Sequence, residues 1–359
     1  MDNPDKYFSC KNLKYFINTI VEVLPFSGVS GSKFFMCDIQ GQKFLTKLSL
    51  YYKTDPELYG RHHIHHQHPI DAEMTILDIF KREFIDTNIT PCILQLLYSK
   101  KCLNITQMLP ENVKCDQYVF IDKFTDYENY VYNLFCEYNK MITAGLARDS
   151  LAFIIMERGD ITFRTYLEEY NDKNKIDVVM FKSLLFQIIY TLYRIKKRFP
   201  KFRHGDLHTD NIILMFDSEF TYNPDNITYL IFGKKSMYMI PYFGVICKII
   251  DFGYSTLPEF NIVSNIADDK KWLYYSVQND AIALLCSIYD SLRTKKHNKF
   301  AIGILTALDS SKTFLHCDAE YANRTRMPTI TEMMDNKIWD VYRTTTLPPL
   351  DHIYKHFDG

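Results

Sequence analysis

The sequence predicts an α+β fold with two lobes, a small strand-rich part followed by a larger helical part. In the first part of the chain, short apolar runs alternate with turn signals, which is typical of strands. From about residue 177 onward, longer apolar segments with helical character dominate. A chain of 359 residues can form about two domains. We therefore expect a first domain over residues 1–158 and a second over residues 159–359.

The first domain opens with predicted strands and a predicted helix. The strands lie at Val21–Leu24, Lys33–Ile39 and Lys43–Leu50, and a turn that contains Gly41 joins the last two. Two runs joined by a glycine-containing turn predict a β-hairpin. A helix is predicted over residues 69–85, because apolar side chains recur there on one face. These side chains are Met74, Leu77, Phe80 and Phe84.

Further apolar runs predict the remaining elements. Pro91–Tyr98 and Leu151–Met156 have the length of strands. The connection between them, from about residue 104 to 150, is long and contains an aromatic, partly helical segment, Tyr127–Tyr138. We expect this segment either to pack on the first domain or to bind a partner. The predicted helices of the second domain are Val178–Phe199, Ala281–Leu292 and Phe300–Leu308.

Charge balance and cysteine count limit the function classes. The chain has 42 Lys+Arg and 43 Asp+Glu, so its positive and negative charges nearly cancel. The overall electrostatic field therefore does not favour nucleic acid or an anionic membrane as the main partner. The N-terminus does not resemble a secretory signal, and no apolar run approaches the roughly 20 residues that span a bilayer. Nine cysteines without paired spacing indicate reduced thiols in a cytosolic or nuclear protein. Composition gives no indication of the oligomeric state.

Two motifs predict phosphoryl-transfer chemistry. His204–Asn211 has the sequence His-Gly-Asp-Leu-His-Thr-Asp-Asn, and Asp251–Gly253 follows downstream as Asp-Phe-Gly. Transfer from a nucleotide needs a carboxylate that receives the acceptor's proton, and oxygen ligands that hold Mg²⁺ at the phosphates. Asp206 is the candidate catalytic base. Asn211 and Asp251 are the candidate metal ligands.

A glycine-containing turn and a lysine of the first domain are candidates for nucleotide binding. Gly28 and Gly31 lie between two predicted strands, where glycines let backbone N–H groups approach phosphates. The turn lacks the ending of a Walker A loop and enters a strand, so a P-loop fold is not expected. Lys47 is a cation within an apolar strand, with a surface-facing lysine as the alternative interpretation. Lys43 is the competing candidate.

These parts, in this order, resemble the eukaryotic-type protein kinase superfamily from about Val21 to about Leu292. The resemblance implies a two-lobed kinase fold with ATP and Mg²⁺ as cofactors. It also implies that Lys47 contacts the α- and β-phosphates and pairs with Glu73 on the predicted helix. A solvated first-turn carboxylate is the alternative for Glu73, and Asp71 is the substitute partner.

The resemblance assigns two further features. Phe153–Gly159 is similar to the strand that ends at the hinge between kinase lobes, although an ordinary core strand remains the alternative. Asp280 is either a helix N-cap or, as in kinases, a buried carboxylate that braces the catalytic-loop backbone; we expect the brace. At the hinge, Met156 would border the adenine base, and backbone groups near Glu157 and Arg158 would form hydrogen bonds with the base.

Three differences from typical protein kinases narrow the choice of kinase subtype. Gly205 stands where many kinases have Arg, so activation by phosphorylation of the activation segment is not expected. His208 replaces the Lys of Ser/Thr kinases. A long gap separates Asn211 from Asp251, and no Ala-Pro-Glu follows Asp-Phe-Gly. The gap predicts a hairpin insert over about residues 217–244.

In the sequence of its predicted catalytic loop, in the insert and in the absence of an Ala-Pro-Glu triplet, the chain resembles haspin-like kinases and kinases of large DNA viruses. This resemblance implies transfer of the γ-phosphate of ATP to Ser or Thr of a protein substrate, inside a host cell or virion. His208 would contact the γ-phosphate or the acceptor. His-Gly-Asp-Leu-His also resembles small-molecule phosphotransferases such as aminoglycoside and choline kinases, which remain an alternative. A pseudokinase that acts as a scaffold is a third possibility.

A histidine-rich segment follows the third predicted strand. Imidazole is a common metal ligand, but no Cys or acidic residue lies at the spacing of a tetrahedral site. We therefore expect a solvated loop instead of a metal site. The segment contains His62, His63, His65, His66 and His68.

Overall fold

The computed structural model describes residues 3–27, 32–53, 68–115, 125–172, 177–234, 237–262, 277–293, 299–315 and 327–358. The described residues form two compact units. Unit 1 is drawn from Met1–Arg61 and Gln95–Arg158, and unit 2 from His62–Leu94 and Gly159–Gly359. Helices and antiparallel sheets occur together, which agrees with the predicted α+β class. The two-lobed arrangement and the domain boundary at residue 158 stay predictions.

The principal helices of the described chain are numbered in chain order. They are α1 (Leu13–Ile17), α2 (Pro69–Phe80), α3 (Asp126–Thr143), α4 (Phe163–Asp172), α5 (Val178–Arg198), α6 (Val277–Arg293), α7 (Lys299–Leu308) and α8 (Ile330–Met334).

The strands are numbered in the same way. They are β1 (Ile20–Ser27), β2 (Lys33–Ile39), β3 (Gln42–Tyr52), β4 (Leu96–Leu103), β5 (Ala147–Met156), β6 (Ile161–Thr162), β7 (Ile212–Phe216), β8 (Tyr229–Phe232), β9 (Met237–Pro241), β10 (Val245–Ile249), β11 (Arg343–Thr344) and β12 (Ile353–Phe357).

Unit 1 contains an antiparallel sheet with the strand order β1-β2-β3-β5-β4. The predicted hairpin is confirmed as β2 and β3, which run in register from Lys33↔Leu48 to Ile39↔Gln42. Gln40 and Gly41 have φ angles of 58° and 81°. Successive left-handed residues match the twist of the flanking strands, and glycine adopts this conformation without a steric cost.

α3 packs on the core of unit 1. The side chains of Val131, Leu134 and Phe135 are buried there with apolar residues of α1 and the sheet. A capping box between Thr125 and Glu128 fixes the start of the helix. Of the two interpretations of the 127–138 segment, the structure therefore supports packing on the first domain.

The strand predicted at Pro91–Tyr98 is displaced. The observed strand, β4, begins at Leu96 and ends at Leu103. The buried residues before it belong to unit 2, where Ile93 forms a parallel bridge with Ile249 of β10. The first residues of this apolar run therefore belong to unit 2 and the last residues to unit 1. Periodicity alone does not reveal this division.

Four cysteines contradict the expectation that all thiols are reduced. Cys10 is bonded to Cys102, and Cys115 to Cys136, with Cα–Cα distances of 5.2 and 5.0 Å. These distances lie in the usual range for a disulfide. The partners are 92 and 21 residues apart in sequence, so their spacing contained no pairing signal.

α5 also corrects an expectation. Its length and apolar composition are sufficient for it to cross a membrane, although the sequence predicted no such run. About two thirds of its apolar window is buried within the protein, as in the core helix of a globular unit. The buried side chains include Phe181, Leu185 and Leu192.

Unit 2 contains two small sheets, ordered β10-β7-β6 and β11-β9-β8-β12. The hairpin predicted in the insert is confirmed as β8 and β9, which pair from Tyr229↔Pro241 to Phe232↔Tyr238. The sequence did not predict that C-terminal strands extend it. β12 runs parallel to β8, and Phe357 stacks on Phe232 with ring centroids 5.1 Å apart.

The C-terminal strand is also attached to the turn after α2. Asn88, which has a φ of 55°, donates its amide Nδ2 to the carbonyl oxygen of His356 at 2.7 Å. The backbone N–H of Asp358 donates to the carbonyl oxygen of Asn88 at 2.8 Å. β12 therefore connects the insert hairpin with the chain that follows α2.

Replacement of Phe357 by Ala is expected to lower the free energy of unfolding by about 3 kcal/mol, because a stacked ring that is 2% exposed is removed. Lys355 of the same strand is exposed and its Nζ lies 5.5 Å from the centre of the Phe357 ring, so Lys355→Ala keeps the packed ring and should cost about 1 kcal/mol or less. Urea denaturation followed by tryptophan fluorescence measures both. Equal losses for the two variants would contradict the packing role of Phe357.

Candidate active site

A buried carboxylate fixes the loop that contains the predicted catalytic base. Asp280 is 2% exposed, and its Oδ2 and Oδ1 accept the backbone N–H groups of His204 at 2.7 Å and Gly205 at 3.0 Å. The predicted brace is confirmed. Asp280 lies inside the first turn of α6, so it does not precede the helix as an N-cap. Burial raises the pKa of Asp280 to about 7, although both N–H donors and Arg203 act in the opposite direction.

His204 connects this loop to the segment that contains Asp251. Its fully buried imidazole contacts the carbonyl oxygen of Ile250 through Nε2 at 2.9 Å, and its ring lies 5.1 Å from that of Phe252. Because a carbonyl oxygen only accepts, Nε2 carries the proton. Burial lowers the pKa of His204, so the ring is neutral near pH 7.

The orientation of Asn211 follows from its hydrogen bonds. Its Nδ2 donates to the carbonyl oxygen of Asp206 at 2.7 Å and lies 3.4 Å from Oδ2 of the same residue. The amide nitrogen is therefore directed at the loop, and Oδ1 is the end that suits a cation. The backbone oxygen of Asn211 accepts the N–H of Ile250 at 3.0 Å. This bond ties the segments of the two predicted metal ligands together.

Asp251 has a left-handed backbone conformation, with φ 62° and ψ 70°. Such a conformation is uncommon outside glycine and marks a position that its surroundings hold. The following residue, Phe252, is fully buried and packs edge-to-face on Phe80 of α2, with centroids 5.4 Å apart. α2 therefore packs directly on the Asp-Phe-Gly segment within unit 2.

His208 lies between two carboxylates. Its Nε2 is 3.6 Å from Oδ2 of Asp206, and its Nδ1 is 3.5 Å from Oδ2 of Asp210. The hydrogen bond to Asp206 raises the pKa of His208 above its usual value, against the effect of partial burial. Arg164 of α4 forms an ion pair with Asp210 at 3.0 Å. Neither Arg164 nor Asp210 was assigned a role from the sequence, because their ion pair is visible only after folding.

Lys47 and Glu73 are both buried, with 6% and 3% exposure. Lys47 lies on β3 of unit 1, with Nζ 5.9 Å from the ring of Phe34, whereas Lys43 is exposed. Burial favours Lys47 over Lys43, and it excludes a solvated first-turn position for Glu73. Glu73 lies on α2 of unit 2, and Asp71 is only partly buried. The pairing of Lys47 with Glu73 stays a prediction.

Of the predicted adenine-binding residues, Met156 ends β5 in unit 1, and Glu157 and Arg158 follow the strand. Met156 is buried, and Arg158 is exposed. The N–H of Glu157 donates to the carbonyl oxygen of Gln95 at 3.2 Å, and Glu157 Oε1 accepts the N–H of Gln95 at 2.7 Å. This N–H is therefore directed at Gln95, and contacts of Met156, Glu157 and Arg158 with a base stay predictions.

Several predicted residues lie outside the described part of the chain. These include the turn with Gly28 and Gly31, and four histidines of the cluster: His62, His63, His65 and His66. His68 is described and caps α2, since its Nδ1 accepts the N–H of Ile70 at 3.3 Å. Across the described ranges, no group of three or more His, Cys, Asp or Glu side chains is arranged to hold a metal ion.

Comparisons with known proteins identify relatives but no matching family model. A protein of Acanthamoeba polyphaga mimivirus is 27% identical over 254 residues, which cover 62% of this chain and 60% of that protein. A second mimivirus protein is 30% identical over 89 residues, covering 25% of this chain and 18% of its own length. A Dictyostelium discoideum protein is 35% identical over 122 residues, covering 31% and 9%.

All three relatives are named as serine/threonine-protein kinases, and each name marks the assignment as inferred. The chain is therefore similar to kinase-named proteins, and the matches support a kinase-like relationship. The match spans 60% of the length of the first mimivirus relative and much less of the other two. The haspin-like subtype stays a prediction.

Replacement of Asp280 by Ala is expected to destabilise the protein by about 3 kcal/mol, because two backbone N–H groups lose their acceptor. Asp280→Asn retains one acceptor oxygen and should lose less. Chemical denaturation measures both changes, and wild-type stability of the Ala variant would refute the brace.

The pKa of His208 is expected to lie above about 6.5 and to fall in Asp206→Asn, because the neighbouring carboxylate favours the imidazolium. A raised folded-state pKa stabilises the fold most below the unfolded pKa. This contribution disappears as the pH rises through the folded pKa. NMR titration of the His208 ring in metal-free protein measures this pKa. An unchanged pKa in Asp206→Asn would exclude Asp206 as the cause of the shift.

Proposed function

We propose that this protein is an ATP-dependent kinase that transfers the γ-phosphate to Ser or Thr of a protein substrate. The observation that carries the proposal is the braced loop in unit 2. Asp280 holds the backbone at His204 and Gly205, and the side chain of Asp206 keeps 44% exposure. A fixed backbone with an accessible carboxylate is what a positioned base requires.

Asp206 would accept the proton of the acceptor hydroxyl. The distances of 3.4 and 3.6 Å to Asn211 Nδ2 and His208 Nε2 place polar groups beside its Oδ2, and these groups orient the carboxylate. Since Asp210 and Arg164 hold the other side of His208, the imidazole is positioned beside the base. There it would contact the γ-phosphate or the acceptor, in place of a lysine.

Asn211 and Asp251 fit the proposed Mg²⁺ site by their chemistry. Asn211 presents an amide oxygen and Asp251 a carboxylate, which are the hard ligands that Mg²⁺ prefers. The cation would neutralise charge on the phosphates. Two protein ligands suffice where phosphate oxygens and water complete the coordination. The left-handed backbone at Asp251 and the bond from Ile250 to Asn211 keep both segments in place.

The remaining roles belong to unit 1 and α2. We propose that Lys47 orients the triphosphate, that Glu73 pairs with it, and that the turn with Gly28 and Gly31 covers the phosphates. Burial of Lys47 and Glu73 supports these roles, since buried charges in proteins are normally paired. Residues 156–158 would border the adenine base.

The names of the relatives and the Asp-Phe-Gly sequence support a protein substrate. The β8–β9 hairpin, which is inserted between Asn211 and Asp251, supports the haspin-like subtype. Small-molecule phosphotransfer and a catalytically inactive scaffold are outcomes that the decisive experiment distinguishes.

That experiment measures transfer of labelled γ-phosphate from Mg-ATP by the wild type and by Asp206→Asn. The acceptors are the protein itself, histone, casein, an aminoglycoside and choline. Label in protein Ser or Thr that disappears in the variant would establish the proposed activity. Label confined to a small molecule would replace it with the alternative, and nucleotide binding without any transfer would indicate a pseudokinase.

The two carboxylates are expected to have separable roles. Asp206→Asn should retain nucleotide binding and lose roughly 10²–10⁴-fold in turnover, since the base is removed. Asp251→Asn should abolish Mg²⁺-dependent nucleotide binding, measured by calorimetry with and without Mg²⁺. Asp290→Asn on α6 serves as a control of equal charge change. If Asp206→Asn lost nucleotide binding and turnover in parallel, the assigned roles would be wrong.

A further inference from the structure

We propose that unit 1 functions as an oxidised unit, closed by the cystines Cys10–Cys102 and Cys115–Cys136. The protein would then acquire its folded form where disulfide oxidants exceed thiol reductants. This inference concerns covalent modification and does not rest on the proposed kinase activity. It replaces the sequence-based expectation of reduced thiols for these four residues.

Contacts other than the sulfur atoms place Cys10 beside Cys102. The N-terminal segment lies along β4, where Asp5 accepts the hydroxyl of Tyr98 at 2.7 Å and forms an ion pair with Lys100. The fully buried ring of Phe8 lies 6.0 Å from that of Tyr98 and 5.7 Å from that of Phe153. Packing and charge thus hold the two cysteines side by side in addition to the sulfur–sulfur bond.

The second pair is placed in the same way. Ile105 and Met108 are buried in the core of unit 1, and Thr106 donates its N–H and its hydroxyl to the carboxylate of Asp149 at 3.0 and 2.9 Å. The segment that leads to Cys115 is therefore anchored to β5, and its buried residues share one core with α3. Cys136 lies on the buried face of that helix.

The two cystines act on different parts of unit 1. Cys10–Cys102 closes a loop of 92 residues, within which the chain leaves unit 1 and returns to it at Gln95. Cys115–Cys136 fastens the start of the 104–150 insert to α3, 21 residues later. Both restrict the unfolded chain, and the longer loop restricts it more. Both cysteines of the second cystine lie within residues 104–150, so this bond closes the insert on itself.

Formation of each cystine is a balanced exchange with a small-molecule disulfide. Two cysteine thiols lose two electrons and two protons in total, and the oxidant R–S–S–R takes them up to become two R–SH. In each cystine one partner is buried, Cys102 or Cys136, and the other, Cys10 or Cys115, is partly exposed. A reducing thiolate that attacks the exposed sulfur must expel a thiolate into the apolar core. We therefore expect the cystines to resist reduction while the protein is folded.

Peptide mapping of the full chain tests the pairing directly. Protein purified without reductant is alkylated with iodoacetamide in denaturant and then digested. Peptides that link Cys10 to Cys102 and Cys115 to Cys136 are expected, and they should disappear after dithiothreitol treatment in denaturant. Alkylation of these four residues without prior reduction, or linkage to other cysteines, would overturn the proposal.

A matched pair of variants tests the consequence for stability. Cys102→Ala removes a buried sulfur and a crosslink, whereas Cys37→Ala on β2 of the same unit removes a buried sulfur and its hydrogen bond from Thr46 but no crosslink. Under oxidising conditions Cys102→Ala should melt roughly 10 °C below Cys37→Ala. When both variants are reduced with dithiothreitol in denaturant and refolded in its presence, the difference should vanish. Equal melting temperatures in both conditions would show that the first crosslink is absent.

Discussion

The candidate site depends on a single buried carboxylate, Asp280, that binds the backbone of another segment. Removing a carboxyl group from water is unfavourable unless donors replace the lost hydration, and the N–H groups of His204 and Gly205 supply them. The dependence is mutual, because those N–H groups would otherwise be buried without acceptors. The loop with the candidate base and α6 therefore specify each other's position, and the position of Asp206 follows from theirs.

A second set of contacts extends this constraint to the Asp-Phe-Gly segment. The imidazole of His204 and the backbone of Asn211 both form hydrogen bonds with the backbone of Ile250, one residue before Asp251. One residue after it, Phe252 packs on Phe80 of α2. The left-handed conformation of Asp251 is thus held from both sides. Within unit 2, a shift of α2 would be transmitted to Asp251 through packing, since close-packed interiors deform little.

Unit 1 is stabilised differently. Its sheet has one long hairpin, a core of phenylalanine rings around Phe16 and Phe153, and an inserted helix that covers that core. Much of the covering chain comes from segments without sheet pairing, such as α1 and α3. The cystines Cys10–Cys102 and Cys115–Cys136 restrict the separation of the segments that they join.

The sequence by itself determined features that depend on neighbouring residues: the β2–β3 hairpin, the long apolar helix α5 and the candidate catalytic motif with its hairpin insert. Only the tertiary structure decided features that join distant residues. It displaced the strand predicted at 91–98, paired cysteines 92 residues apart, and added β12 to the insert hairpin. It also chose between a cap and a brace for Asp280. The physical reason is that periodicity and turn residues report local backbone preference, whereas burial and long-range hydrogen bonds exist only after the chain has folded.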